Sequence, residues 1–395
     1  MPEPALALYA GPAARRHIER HGLSPADVAT VPAAAGGPKG LILGPLDRFI
    51  FGQWLPQAAQ PVDLVGASIG AWRMAAACMD DPVAAFQALE TGYIHGDMKA
   101  PPGRKLPLPE QVSATFAQNL RTMFDGHVPT LLAHPRYRLH VVASHGRHVL
   151  AREGRWRTPL GYLGAALTNV ASRRALGAWI ERVVFSAPAR VSATTAAPTV
   201  IAPLPRLPFN PGDLRTQQVP LTVQNFYPAL QASGSIPFIL QAVHDIPGAP
   251  RGAYWDGGIT DYHLHLAYHA TTSIAVSAGA VCAGGGFHGE PPRPHGGIVL
   301  YPHFQQAVVP GWLDKGLKWR HGATARLSHM LVLAPRPEWV QSLPGAKLPD
   351  RTDFQRLTHP ERVKAWTTSV QAARQLADEF QAWLDKPDAA RLTPL

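Results

Sequence analysis

Cysteine is nearly absent: Cys78 and Cys282 are the only two among 395 residues. Two such residues build neither a disulfide framework nor a metal-ligand spacing. Cys78, within Ala75-Ala76-Ala77-Cys78-Met79, reads as a small core residue, and a reducing compartment is expected. Charge is sparse too, at 16% of residues against an ordinary quarter. Acid is the scarcer sign, with 27 Asp and Glu against 37 Lys and Arg and a net charge of +10. Long apolar runs are missing as well. The longest stretch free of Asp, Glu, Lys and Arg, Tyr262 to Gly289, is broken by glycines and histidines and only weakly apolar, which argues against a membrane span. The start, MPEPALALYAGPAARRH, carries its basic residues after a very short apolar stretch, the reverse of a signal peptide. The expected location is the cytoplasm, with peripheral contact to a membrane or lipid surface. No nucleic-acid recognition module is visible, so nucleic acid is not expected as a partner. No cofactor motif or metal site is read either.

What the chain does contain is proline, 40 residues, about twice average usage. Ala100–Pro109 and Pro198–Pro211 read as long ordered loops, and His269–Pro294, rich in Ala, Gly, Ser and Pro, as a loop insertion. Short β-like runs alternate with helical patterns. Strands are predicted at Val62–Val65, Arg138–Ser144, Val183–Ser186, Gly297–Tyr301 and Met330–Ala334, and a helix from about Ile69 to Met79. Such alternation argues for an α/β domain with a mostly parallel sheet.

Three segments carry chemistry. Gly66-Ala67-Ser68-Ile69-Gly70 stands between an apolar strand and a helix of small residues, the strand–turn–helix that a nucleophile elbow requires. The turn is strained, and a side chain at position 66 or 70 would collide with the neighbouring strand or helix. The helix start points its amides at developing negative charge. Upstream, Gly36-Gly37-Pro38-Lys39-Gly40 offers free backbone amides that suit an oxyanion hole. On residues alone it could equally cradle a phosphate, though it lacks the ending of a Walker loop. Downstream, Asp256 follows two aromatics and precedes Gly257-Gly258 on a tight turn.

Together these resemble the patatin-like phospholipase family of serine acyl hydrolases. A fourth stretch, Ala232-Ser233-Gly234-Ser235-Ile236-Pro237, is similar to the A-S-x-[SA]-x-P segment of such proteins, and the four cover roughly Thr30 to Tyr262. Ala35 stands where the family has a third glycine, and Lys39 where it has arginine. The resemblance implies a patatin-like three-layer α/β fold, with a mostly parallel central sheet flanked by helices. It also implies a Ser68–Asp256 dyad without histidine, and an oxyanion hole from the amides of Gly36, Gly37 and Ile69. Its substrates would be phospholipids, lysophospholipids, other lipid esters or storage polyesters. Two rivals remain at this point. One is an α/β-hydrolase triad using Ser68 with a later acid and a histidine such as His263 or His265, although that fold normally builds several strands before its nucleophile. The other is a lipid- or polymer-surface binding protein with a degenerate site.

Because Gly36, Ser68 and Asp256 must meet, one domain is expected from Leu6 to about Ala334, followed by a 335–395 extension. In that extension Val363, Trp366, Val370, Ala373, Leu376, Phe380 and Trp383 form one face of a long amphipathic helix over Pro360–Leu384. A further feature is basic: Arg147, Arg152, Arg155, Arg157, Arg173, Arg174 and Arg182 face only Glu153 and Glu181, with Trp156, Tyr162 and Trp179 interleaved. It reads either as a solvated surface or as a contact zone for anionic headgroups on a membrane. Oligomeric state is left open.

Overall fold

The computed structural model describes residues 4–97, 107–188, 204–268 and 297–395. Cys282 and the insertion read at His269–Pro294 lie outside the described residues, as do parts of both proline-rich loops. The strands are β1 (Leu6–Ala10), β2 (Val28–Ala33), β3 (Val62–Ala67), β4 (Tyr137–Gly146), β5 (Ile180–Ser186), β6 (Phe209–Asn210), β7 (Thr216–Pro220), β8 (Val243–His244), β9 (Ala253–Asp256), β10 (Ala267–Tyr268), β11 (Ile298–Pro302), β12 (Met330–Pro335) and β13 (Leu392–Pro394). A central sheet runs β13-β1-β12-β11-β2-β3-β4-β5-β7, with β9 against β4 and β8 against β9. Its middle, β12-β11-β2-β3-β4, is parallel throughout. Antiparallel pairs enter at β1–β12 and β4–β5. The protein is α/β, with a mostly parallel sheet flanked by helices.

The sequence accounts for the middle strands directly. Val62, Leu64, Val65 and Ala67 of β3 are all fully buried, as a parallel strand covered by helices on both faces should be. Every strand expected from the sequence is present; four are extended by one to three residues, and that expected at Gly297–Tyr301 is shifted by one to Ile298–Pro302. The helix after the elbow runs Ile69–Ala77.

One register positions the site. Along β4, Val142 pairs with Ala67, the last residue of β3. The next residue, Ala143, pairs with Asp256 at the end of β9. The other edge of β4 is taken by β5 from His140 to Gly146, so β9 must continue on the edge where β3 stops. The nucleophile elbow and the aspartate therefore meet end to end across one strand.

The C-terminal residues depart from the expectation of one long helix. Two helices, His359–Ala372 and Arg374–Asp385, join at Ala373. The break lets a single apolar stripe serve two places. Trp366 and Val370 pack with Leu41 and Ile94, while Leu376, Phe380 and Trp383 enter the main core. The chain then adds β13 alongside β1. These residues are thus part of the sheet and its core rather than set apart from them. No helix of the described residues is long and apolar enough to cross a membrane.

Candidate active site

Ser68 has φ 57° and ψ −129°, a backbone state that costs a non-glycine residue roughly 1–3 kcal/mol. Glycine on either side makes the turn feasible. A Cβ at Gly66 would lie 2.4 Å from Ala71 Cα, and one at Gly70 would lie 1.9 Å from the Ala33 carbonyl oxygen. The first contact is with the following helix and the second with the end of β2, as the sequence predicts.

Ser68 Oγ donates to Asp256 Oδ2 at 2.7 Å. Asp256 Oδ1 accepts from the Gly258 amide, also at 2.7 Å. Both side chains are buried. Burial raises the Asp256 carboxyl above the ordinary aspartate value, against the opposing pull of the Ser68 hydrogen bond, the Arg351 charge and the Gly258 amide. A desolvated carboxylate in contact with a hydroxyl is chemically a base poised to take its proton.

The stretch from Ala232 to Pro237 clamps this pair. Ser233 Oγ accepts from the Ser68 amide at 2.9 Å and donates to the Val142 carbonyl at 2.6 Å. The amides of Asp256 and Gly257 donate to the Ser235 and Ser233 carbonyls. Gly257 itself passes so close to β4 that a Cβ would lie 2.1 Å from the Val142 carbonyl oxygen. One short segment therefore fixes both halves of the dyad to the same strand. Resemblance marks this stretch in the sequence, but its role depends on a register between distant segments.

Of the expected oxyanion donors, Gly36 lines the cavity of about 270 Å³ that holds Ser68 and Asp256. Gly37 and Ile69 line a smaller adjoining void of about 20 Å³. Among the described residues, none of these three amides donates to a protein acceptor. Gly37 has φ 57°, the left-handed conformation that favours glycine. The cavity wall includes Ile236, Pro237, Ile259 and Trp312, an apolar lining beside a polar pair.

No histidine of the described residues hydrogen-bonds to Ser68 or Asp256. His265 is held by the Val308 carbonyl at 2.7 Å and the Thr324 hydroxyl at 2.8 Å. His263 Nδ1 is 3.1 Å from the Ala307 carbonyl, and burial holds its pKa well below the ordinary value. His244 is exposed and accepts from the Glu153 amide at 3.5 Å. Among the described residues no cluster of His, Cys, Asp or Glu is placed to hold a metal ion.

The basic stretch divides in two. Arg182 is fully buried and grips Asp261 at 2.6 and 2.7 Å and Asp213 at 2.9 Å. Arg173 pairs with Asp314 at 3.0 Å. Arg182 is internal and Arg173 half-buried, and both are committed to acids that arrive from far along the chain rather than to a lipid surface. Arg152, Arg155, Arg157 and Arg174 stay exposed. They accompany the helix Arg157–Ala171, whose Leu160, Leu163, Leu167 and Val170 are 52–66% exposed.

No protein-family model matches the chain, and the comparisons with curated proteins and with solved structures return no significant match.

Proposed function

We propose that this chain is a serine-dependent carboxylic ester hydrolase of the patatin-like kind, acting on lipid acyl esters. The observation that carries the reading is the 2.7 Å contact between Ser68 Oγ and Asp256 Oδ2 on a strained, buried elbow. Asp256 takes the Ser68 proton as Oγ attacks the ester carbonyl. The oxyanion is met by the Gly36 amide at the cavity wall, with Gly37 and Ile69 completing the donor set. Asp256 returns the proton to the departing alcohol, leaving an acyl-serine. It then takes a proton from water, which attacks the acyl carbonyl, and passes that proton to the departing Ser68 Oγ as the acid is released. Deprotonation of the serine thus needs one carboxylate and no imidazole. A panel of p-nitrophenyl esters and dispersed acyl lipids tests this, the expectation being turnover by the native chain and loss with Ser68→Ala. Equal turnover by Ser68→Ala would remove the elbow from the reaction.

An anionic lipid surface is the partner we propose for the helix Arg157–Ala171. Its Tyr162 packs edge-on to Phe238 at 6.0 Å, and Phe238 is itself 56% exposed. The neighbouring Ile236 and Pro237 line the cavity. Arg155, Arg157 and Arg174 supply charge complementary to anionic headgroups beside this apolar face.

A further inference from the structure

Lys39, Lys315 and Arg351 all line the cavity that holds Ser68 and Asp256. Lys39 is half-buried, and the other two are at its exposed rim. None of the three forms an ion pair or donates a side-chain hydrogen bond within the described residues. Aromatic rings lie beside both lysines. The Lys39 ammonium is 5.4 Å from the Phe304 ring centroid, and that of Lys315 is 3.9 Å from Tyr262. Arg351 lies along the oxyanion loop, its Nε 3.2 Å from where a Cβ on Gly37 would be.

The carboxylates in the same cavity are already committed. Asp256 holds Ser68 and the Gly258 amide. Asp350 pairs with Lys347 at 2.9 Å and accepts from Thr352. Three like charges therefore face one cavity with no ion pair of their own; Asp350 and Asp256 offset them from beyond ion-pair distance, and an arriving anion would relieve the repulsion that is left. The lysines register it: burial, then the charges of Arg351 and Lys39, bring Lys315 down to about 8 against the pull of Asp256, and burial lowers Lys39 against the pull of Asp350. Two ammonium groups and one planar guanidinium suit an oxyanion such as phosphate or carboxylate.

We infer that the ester taken by Ser68 carries a net negative group next to its scissile carbonyl, held by Lys39, Lys315 and Arg351. The inference rests on the hydrolase reading above, and it names these three side chains as specificity determinants. Neutral and zwitterionic esters of the same acyl chain are the poor substrates, because they leave the three cations unpaired or bring a competing cation among them.

The test uses short-chain acyl esters below micelle formation, identical in acyl group: of glycerol, glycerol phosphate, glyceric acid and glycerophosphocholine. The expected result is a kcat/KM at least about tenfold higher for an anionic ester than for the glycerol or glycerophosphocholine ester, roughly what one charge-assisted contact supplies. The phosphate and carboxylate arms say which anion it is. Lys315→Gln and Arg351→Gln should each lower the anionic-to-neutral ratio about tenfold, and Lys315→Arg should restore most of it. Equal kcat/KM across the series, or a ratio unmoved by both Gln variants, overturns the inference while leaving the hydrolase reading intact. If no ester is turned over, calorimetric titration with the inert ether 1-alkylglycerol 3-phosphate decides separately. Binding of that ether but not of the uncharged alkylglycerol sustains the anion site even as the hydrolase reading fails. Binding of both or neither overturns it.

Discussion

At the scale of single residues, the account turns on Asp256. Its carboxyl is raised by burial, which fixes two signs. As a base it must be ionised, so kcat/KM falls as pH drops through a midpoint above the ordinary aspartate value of about 3.9. For stability, a folded-state pKa above the unfolded one favours folding fully below the unfolded value, and that contribution is lost as pH rises through the folded value. At pH 7 the ionised group therefore costs stability. Asp256→Asn, whose Oδ1 can still accept from Gly258 and whose amide can donate to Ser68, should match or exceed the native Tm there. Its kcat should fall on the order of 10⁴ or more, the cost of an unactivated nucleophile. Calorimetry and steady-state kinetics on one preparation check both. A large loss of Tm, or a kcat near native, contradicts the assignment. The glycines around Ser68 and after Asp256 were legible because close backbone approach demands them locally, while Ser68 and Asp256 themselves were marked by the resemblance of their motifs. Lys315 and Arg351 were not, since a lone cation far along the chain carries no local signature of the cavity it will line.

At the scale of elements, periodicity identified helices but not where they bend. The stripe from Val363 to Trp383 has the spacing of one helix, yet it covers two separate apolar clusters, and only a break at Ala373 serves both. Phe380 is fully buried, edge-on to Phe49 at 6.1 Å and near edge-on to Trp54 at 5.7 Å. Phe380→Ala should therefore destabilise by about 3–5 kcal/mol in urea unfolding, as a large side chain lost from a packed core does. A change under about 1 kcal/mol would mean this helix is not part of the main core. The basic stretch failed as a single unit for a related reason. Asp213, Asp261 and Asp314, which bind Arg182 and Arg173, are distant in sequence, so counting nearby acids made both arginines look free.

At the scale of the molecule, β4 is the ruler: Val142 meets the end of β3 and Ala143 meets Asp256. Alternation of strand and helix made the α/β class legible. The register that joins residues 188 positions apart is a tertiary property that no local pattern encodes. The exposed face of the helix Arg157–Ala171 belongs to this scale, because the same helix meets Phe238 through Tyr162, one residue beyond the cavity-lining Pro237. Replacing Leu160, Leu163 and Leu167 together by Ser, or reversing Arg155 and Arg157 to Glu, should weaken co-sedimentation with phosphatidylserine vesicles at low salt by tenfold or more. Soluble-ester kinetics should be unchanged, as none of these residues lines the cavity. Co-sedimentation unaffected by both sets would leave the face a solvated surface.

The central claim is that the Ser68 hydroxyl is an activated nucleophile, and a fluorophosphonate probe reads that without knowledge of the substrate. The account predicts covalent labelling of the native protein, mapped by peptide mass spectrometry to Ser68. Labelling should be absent in Ser68→Ala and slowed at least about a hundredfold in Asp256→Asn. Labelling that persists in Ser68→Ala, or a native protein that does not react while folded, would contradict it.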